Sequence, residues 1–113
     1  MASKEELKEC MDIVVERLND LGPDVAADWG GSVQWVFPDL NTGWLLKVAM
    51  DGTTESCDEK LDEEAASGVL EMDSDIWVGI IKKTINPQEA KAEGKMQVRK
   101  SIEALMKVLP LVT

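Results

Sequence analysis

Histidine is absent from all 113 residues, so the chain lacks the commonest metal ligand and the commonest general base. Without it the usual acyl-transfer constellation cannot be assembled, and although carboxylates are plentiful, no pair is framed by a base and a nucleophile. Cysteine occurs only at Cys10 and Cys57, too few for a disulfide framework and without the spacing of a zinc site. Both read as reduced thiols of a cytoplasmic protein. Cys57 reads as unreactive, because the carboxylates around it disfavour a thiolate and only Lys60 nearby is basic. No run approaches the ~18 apolar residues of a membrane span, and MASKEEL is not a secretory leader. Basic residues are scarce: 12 Lys and Arg against 22 Asp and Glu give a formal charge of -10. That balance argues against nucleic-acid binding, which depends on cations displacing counterions from phosphates. Internal repeats and low-complexity linkers are missing too. The expectation is a chain with no catalytic residue, no metal and no cofactor.

What is present suffices for one domain with a single core, residues 1–113, 44% of them hydrophobic. Ser3 and Glu6 fit a capping box, and Leu7, Cys10, Met11, Val14 and Leu18 mark one helical face. They predict a helix over residues 3–20, ended by Leu21-Gly22-Pro23. From Asp24 to Ser32 nothing finer than a loop is predicted, with Gly30-Gly31 releasing the chain into extended structure. Val33, Trp35 and Phe37 then alternate with Gln34 and Val36 as a strand that Pro38-Asp39 closes. Trp44, Leu46, Val48 and Met50 share one strand face against Leu45, Lys47 and Ala49. Asp51-Gly52 is a hairpin turn signal. The next strand, Thr53 to about Cys57, has so few apolar residues that it is expected either at an edge or with an inner side only partly buried. After the acidic run Asp58 to Glu64, the residues Ala66, Gly68, Leu70 and Met72 supply one face of a fourth strand.

The densest punctuation falls between Asp73 and Leu109. Ser74 is an N-cap candidate, and Ile76, Trp77, Ile80, Ile81 and Thr84 fall on one face of the helix it would start. Asn86-Pro87 interrupts that helix, since proline disfavours helical geometry in the preceding residue and suits a first helical position itself. A short helix from Pro87 to about Glu93 follows, and Gly94 is placed to end it. Met96 and Val98 alternate with Lys95, Gln97 and Arg99 as a half-buried strand does. Ile102, Leu105, Met106 and Leu109 form a last apolar helical stripe with Lys107 on the polar side. The order is α-β-β-β-β-α-α-β-α.

The run of DSD with an apolar helix, NPQ-x-A, GK-apolar-x-apolar and an apolar LMK helix resembles the C-terminal half of the sterol carrier protein 2 (SCP2) domain. Upstream, VQWVF, the tryptophan of GWLLKVAMDG and a strand just before DSD keep the order of that family, so the resemblance covers roughly Gly31 to Val112. It implies an α+β, SCP2-like fold: a five-stranded, mostly antiparallel sheet with helices packed on one face and an apolar tunnel between them. It also implies a non-catalytic lipid-binding carrier for a sterol, fatty acid, fatty acyl-CoA or similar ligand. LVT at the C-terminus is not the SKL-type peroxisomal address carried by many eukaryotic relatives. Where relatives often have two aromatics and a glutamine after NPQ-x-A, this chain has Lys91, Ala92 and Glu93. It has Lys100 where a glycine usually leads into the last helix, and one extra residue between Asp75 and Pro87. These departures alter the end of the tunnel and favour a fatty acyl chain or another lipid over a sterol.

The lining so implied is Trp35, Phe37, Trp44, Leu46, Val48, Leu70, Met72, Ile76, Trp77, Ile80, Ile81, Met96, Val98, Leu105, Met106 and Leu109, with the last helix as a lid. Periodicity alone is better served by the plainer alternative that these side chains pack on one another, since a one-sided sheet under helices needs such a stripe anyway. Lys82, Lys83, Lys91, Lys95, Arg99, Lys100 and Lys107 could rim the mouth and attract anionic head groups, acyl-CoA phosphates or a membrane surface. Alternatively they are an ordinary solvated face interrupted by Glu89, Glu93 and Glu103. Two other roles stay open: a substrate-presenting or accessory subunit of a lipid-modifying enzyme, since SCP2-like domains also occur attached to alkyl sulfatases, and a homo-oligomeric interaction domain with a closed core. Either a monomer or a homodimer is compatible with the sequence.

Overall fold

A computed structural model describes residues 2–112. Helix α1 (Lys4–Val25) opens with the expected capping box: the Glu6 N–H donates to Ser3 Oγ at 3.1 Å and the Ser3 N–H to Glu6 Oε1 at 3.3 Å. Strand β1 (Ser32–Phe37) runs through a 3-10 turn (Pro38–Leu40) into β2 (Thr42–Val48) and, by way of the Asp51-Gly52 turn, into β3 (Thr54–Glu59). Gly52 sits there at φ 93°, a conformation that favours glycine. Then come β4 (Gly68–Met72), α2 (Ser74–Ile81), α3 (Pro87–Ala92), β5 (Met96–Arg99) and α4 (Ile102–Val112).

The strands form one sheet in the order β3-β2-β1-β4-β5, antiparallel except for the parallel pair β1 and β4. Register places Trp44, Trp35, Leu70 and Val98 in one row across the sheet, on the face the helices cover. Gly68 brings α4 down onto β4, because a Cβ there would lie 2.4 Å from the Ala104 Cβ. The far end of α4 is tied to α1 by Arg17, whose Nη1 donates to the Leu111 carbonyl at 2.8 Å.

The structure departs from the sequence reading where tertiary contacts override local signals. Leu21-Gly22-Pro23 does not end α1, which continues to Val25 with Pro23 inside it. Gly22 is a contact point rather than a stop: a Cβ there would lie 1.8 Å from the Gly52 carbonyl oxygen, so only glycine lets the helix meet the hairpin backbone. Ser74 is not the N-cap; Asp73 holds that position. Buried Ser74 instead donates its hydroxyl to Asp39 Oδ2 at 2.5 Å and accepts the Ala2 N–H at 3.1 Å. Met50 lies beyond β2 and is exposed, and Thr84 lies beyond α2 with its hydroxyl on the Gly79 carbonyl.

The second face of the sheet is also partly covered. Leu45 and Val69 are buried there with Ala66, which had been expected on the face of Leu70. A strap of residues 60–66 lies over them because fully buried Gln34 donates Nε2–H to the Lys60 carbonyl at 2.9 Å and accepts the Asp62 N–H at 2.8 Å. Arg99 holds the same strap through Glu63, and Lys100 holds it by donating Nζ–H to the Glu63 and Ala66 carbonyls. Lys100 takes φ 66°, a backbone conformation that favours glycine.

Candidate functional site

Helix α4 carries two apolar stripes. Ala104, Leu105, Val108, Leu111 and Val112 face inward and are buried. Ile102 and Met106 are 57% and 58% exposed, a large apolar surface for a helix end to leave open. With Leu105 and Leu109 they border a groove of about 280 Å³, completed by Pro87, Gln88 and Lys91 of α3 and Met96 of β5. Local chemistry fixes the opposite wall: Asn86 Oδ1 accepts the N–H groups of Gln88 and Glu89 at 2.9 and 3.2 Å, starting α3 at Pro87. Gly94, at φ 77°, closes α3, with the Lys95 N–H on the Ala90 carbonyl at 2.8 Å.

The remaining residues of the expected lining lie deeper or elsewhere. Trp35, Phe37, Leu46, Leu70 and Trp77 are buried to within 1% of complete enclosure, and the two indole rings stand 5.2 Å apart. A side chain with no exposed surface has no water-sized space beside it, so in this conformation these groups meet one another. Neither the Trp35 nor the Trp77 indole N–H finds an acceptor, an omission worth about 1–3 kcal/mol for each buried donor. Val48 and Ile81 are buried in the same core, while Trp44 and Val98 are half-buried against it. Met72 and Ile76 border a cavity of about 400 Å³ that also includes Glu71, Asp73 and Lys95. Ile80 touches another of about 420 Å³, with Lys83 and Glu89 on its wall. The structure thus brings Met96, Leu105, Met106 and Leu109 together around one apolar groove. It adds Pro87, Gln88, Lys91 and Ile102, of which Ile102 was already visible in the last helical stripe.

The expected cationic rim is dispersed. Arg99 pairs with Glu63 and Glu71 at 2.6 Å, Lys95 with Glu93 at 3.4 Å and Lys82 with Glu6 at 4.0 Å. Burial, then Asp58 and then Asp12 across from α1, push the Cys57 thiol up to about 12, so it stays protonated near neutral pH. Burial also raises Cys10, against the opposing pull of Lys82. Among the described residues no cluster of three or more His, Cys, Asp or Glu could hold a metal ion.

A mixed five-stranded sheet with four helices is the architecture of the sterol carrier protein 2 domain. The sterol carrier protein 2 of Aedes aegypti, in complex with palmitate, is 21% identical, with 100% of this chain and 97% of that one covered and a TM-score of 0.73. Another sterol carrier protein 2 is 20% identical over 91% of this chain and 87% of its own, with a TM-score of 0.65. A stereoselective inverting sec-alkylsulfatase from Pseudomonas sp. is 18% identical over 89% of this chain, with a TM-score of 0.73, but this chain spans only 15% of that enzyme. No protein-family model matches the chain, and no curated protein matches it by sequence. At these identities the likeness establishes the fold, which is the one that the DSD, NPQ-x-A and GK motifs suggested.

Proposed function

We propose that this chain is a non-catalytic lipid-binding carrier whose ligand is a single alkyl or acyl chain. The observation that carries the reading is the apolar groove of about 280 Å³ lying open along Ile102, Leu105, Met106 and Leu109. Its size is near the lower end of the ~300–1,000 Å³ usual for small-molecule sites, which suits one extended chain better than a fused-ring sterol. Burying about six methylenes there would contribute about 5 kcal/mol before the cost of capture. Tight binding therefore requires a longer chain to pass beneath α4 toward Trp77 and Leu70, with α4 serving as the lid and the expected sheet-facing residues becoming the inner lining. Two buried indole N–H groups without acceptors lower the stability of the layer that would have to part. The palmitate held by the Aedes aegypti protein of the same fold supports this choice of ligand.

The carrier works in the cytoplasm in this reading, as a monomer or homodimer, meeting membrane surfaces only transiently; no helix among the described residues is long and apolar enough to cross a membrane. A second reading, a substrate-holding or accessory module for a lipid-modifying enzyme, is favoured by the likeness to one portion of a sec-alkylsulfatase. It uses the same groove. Native mass spectrometry of the purified protein, with lipid extraction and titration of a fluorescent fatty acid, tests the proposal. A co-purifying single-chain lipid and saturable uptake are expected. A lipid-free dimer that refuses the fluorescent fatty acid would mark an interaction domain with a closed core instead.

A further inference from the structure

We propose that Lys91 selects the head group of the ligand, so that the groove takes single-chain amphiphiles ending in an anion. The inference rests on the carrier reading above and adds to it the chemistry of the polar end. The observations are of charge and position. Although 22 of 113 residues are Asp or Glu, none of them lines the groove, whereas the cavity at Met72 includes Glu71 and Asp73 and the one at Ile80 includes Glu89. Among the described residues Lys91 is the one cation on its wall. No acidic group among the described residues pairs with Lys91, while nearby Lys95 is neutralised by Glu93.

Gln88 and Lys91 lie three residues apart on α3, a spacing that sets both on the same side of the helix, and both line the groove. An ammonium offers donors and no acceptor, and the Gln88 amide adds two more N–H donors beside it. An apolar trough with an uncompensated cation and an amide at its edge fits a carboxylate or phosphate on an alkyl chain. A bare alcohol would leave the Lys91 charge unmatched. The chain lies against Met96, Leu105, Met106 and Leu109 while its head group remains at the solvent edge, where an exposed pair gains a modest amount.

Isothermal titration with dodecanoate, dodecyl phosphate and dodecanol, each kept below its aggregation limit, tests this on the intact chain and on Lys91→Ala, Lys91→Glu and Lys91→Arg. Because Lys91 is exposed, all three variants keep the fold, which thermal melts check. Anion affinity should fall about threefold in Lys91→Ala and about tenfold in Lys91→Glu, survive in Lys91→Arg, and weaken with added salt, while dodecanol affinity changes less than about twofold. Loss confined to dodecanoate would identify a fatty acid, and loss confined to dodecyl phosphate a phosphorylated lipid; either supports the assignment. If acid and alcohol bind alike and no variant discriminates between them, the head-group role is wrong and the carrier reading stands. Binding of none of the three would overturn both.

Discussion

Replacing Met106 by glutamate separates a ligand-facing role from a structural one, because the side chain is 58% exposed and still borders the groove. Stability should hardly change. Methionine and glutamate have similar helix propensities, the added repulsion from Glu103 one turn away is about 0.2–0.5 kcal/mol, and attraction to Lys91 across the groove opposes it. Binding should change a great deal. The substitution removes two apolar groups, the sulfur and the terminal methyl, at about 0.8 kcal/mol each, or about 1.6 kcal/mol in total, which is about 15-fold in affinity. The new carboxylate also occupies Lys91 in place of a ligand anion. Fluorescent fatty-acid titration at 25 °C, run beside urea unfolding of the same preparations, reads both quantities. Equal losses in affinity and stability would show that Met106 is ordinary core, and unchanged affinity would show that the chain lodges elsewhere.

Other substitutions probe the frame around the groove. Gly22→Ala should destabilise by at least about 2 kcal/mol in thermal unfolding, because its Cβ would lie 1.8 Å from the Gly52 carbonyl oxygen; a loss below about 0.5 kcal/mol would mean that the helix and hairpin separate freely. Gln34→Leu should free the strap, costing about 1–3 kcal/mol and speeding cleavage at Glu63 and Glu64 by a glutamate-specific protease; unchanged cleavage would place the hold with Arg99 and Lys100 alone. Cys57, pushed from 9.0 to about 12, holds about 1,000-fold less thiolate at pH 8 than an ordinary thiol and should react correspondingly slowly with a disulfide reagent. The same shift has a sign in folding: the native state keeps a proton that the unfolded chain releases, so this group lowers stability as pH rises above about 9 toward about 12. A Cys57→Ala variant should lose that alkaline component of the unfolding profile.

Most of the element order could be read from the chain because its signals are local. The Ser3–Glu6 box, the Asp51-Gly52 turn, the helix restart at Pro87 and the Gly94 stop each act within a few residues, and each forms as expected. Misassignments arose where a local signal served a distant partner. Gly22 looked like a helix end and is a bearing surface for Gly52; Ser74 looked like a cap and is a tether between Asp39 and Ala2. Ala66 was assigned by parity to the wrong face because the chain turns between it and β4.

The groove was half legible. Apolar residues encircle much of α4, from Ile102 through Ala104, Leu105, Met106, Val108 and Leu109 to Val112, and helical period alone does not say which stripe meets the sheet. Nor does spacing reveal that Lys91 and Gln88 stand across from Met106, since only the turn between α3 and α4 through β5 brings them together. The Trp35–Trp77 contact joins a central strand to a helix and has no signature in either segment.

The methionines supply the most direct test of the central claim, that an alkyl chain lodges along α4. In a titration of methyl-labelled protein with dodecanoate followed by nuclear magnetic resonance, the Met96 and Met106 methyl signals should shift together and saturate, while Met50, exposed at the β2–β3 turn, and Met11, buried in α1, stay in place. Shifts confined to Met50, or none at Met96 and Met106 at saturating ligand, would contradict the account.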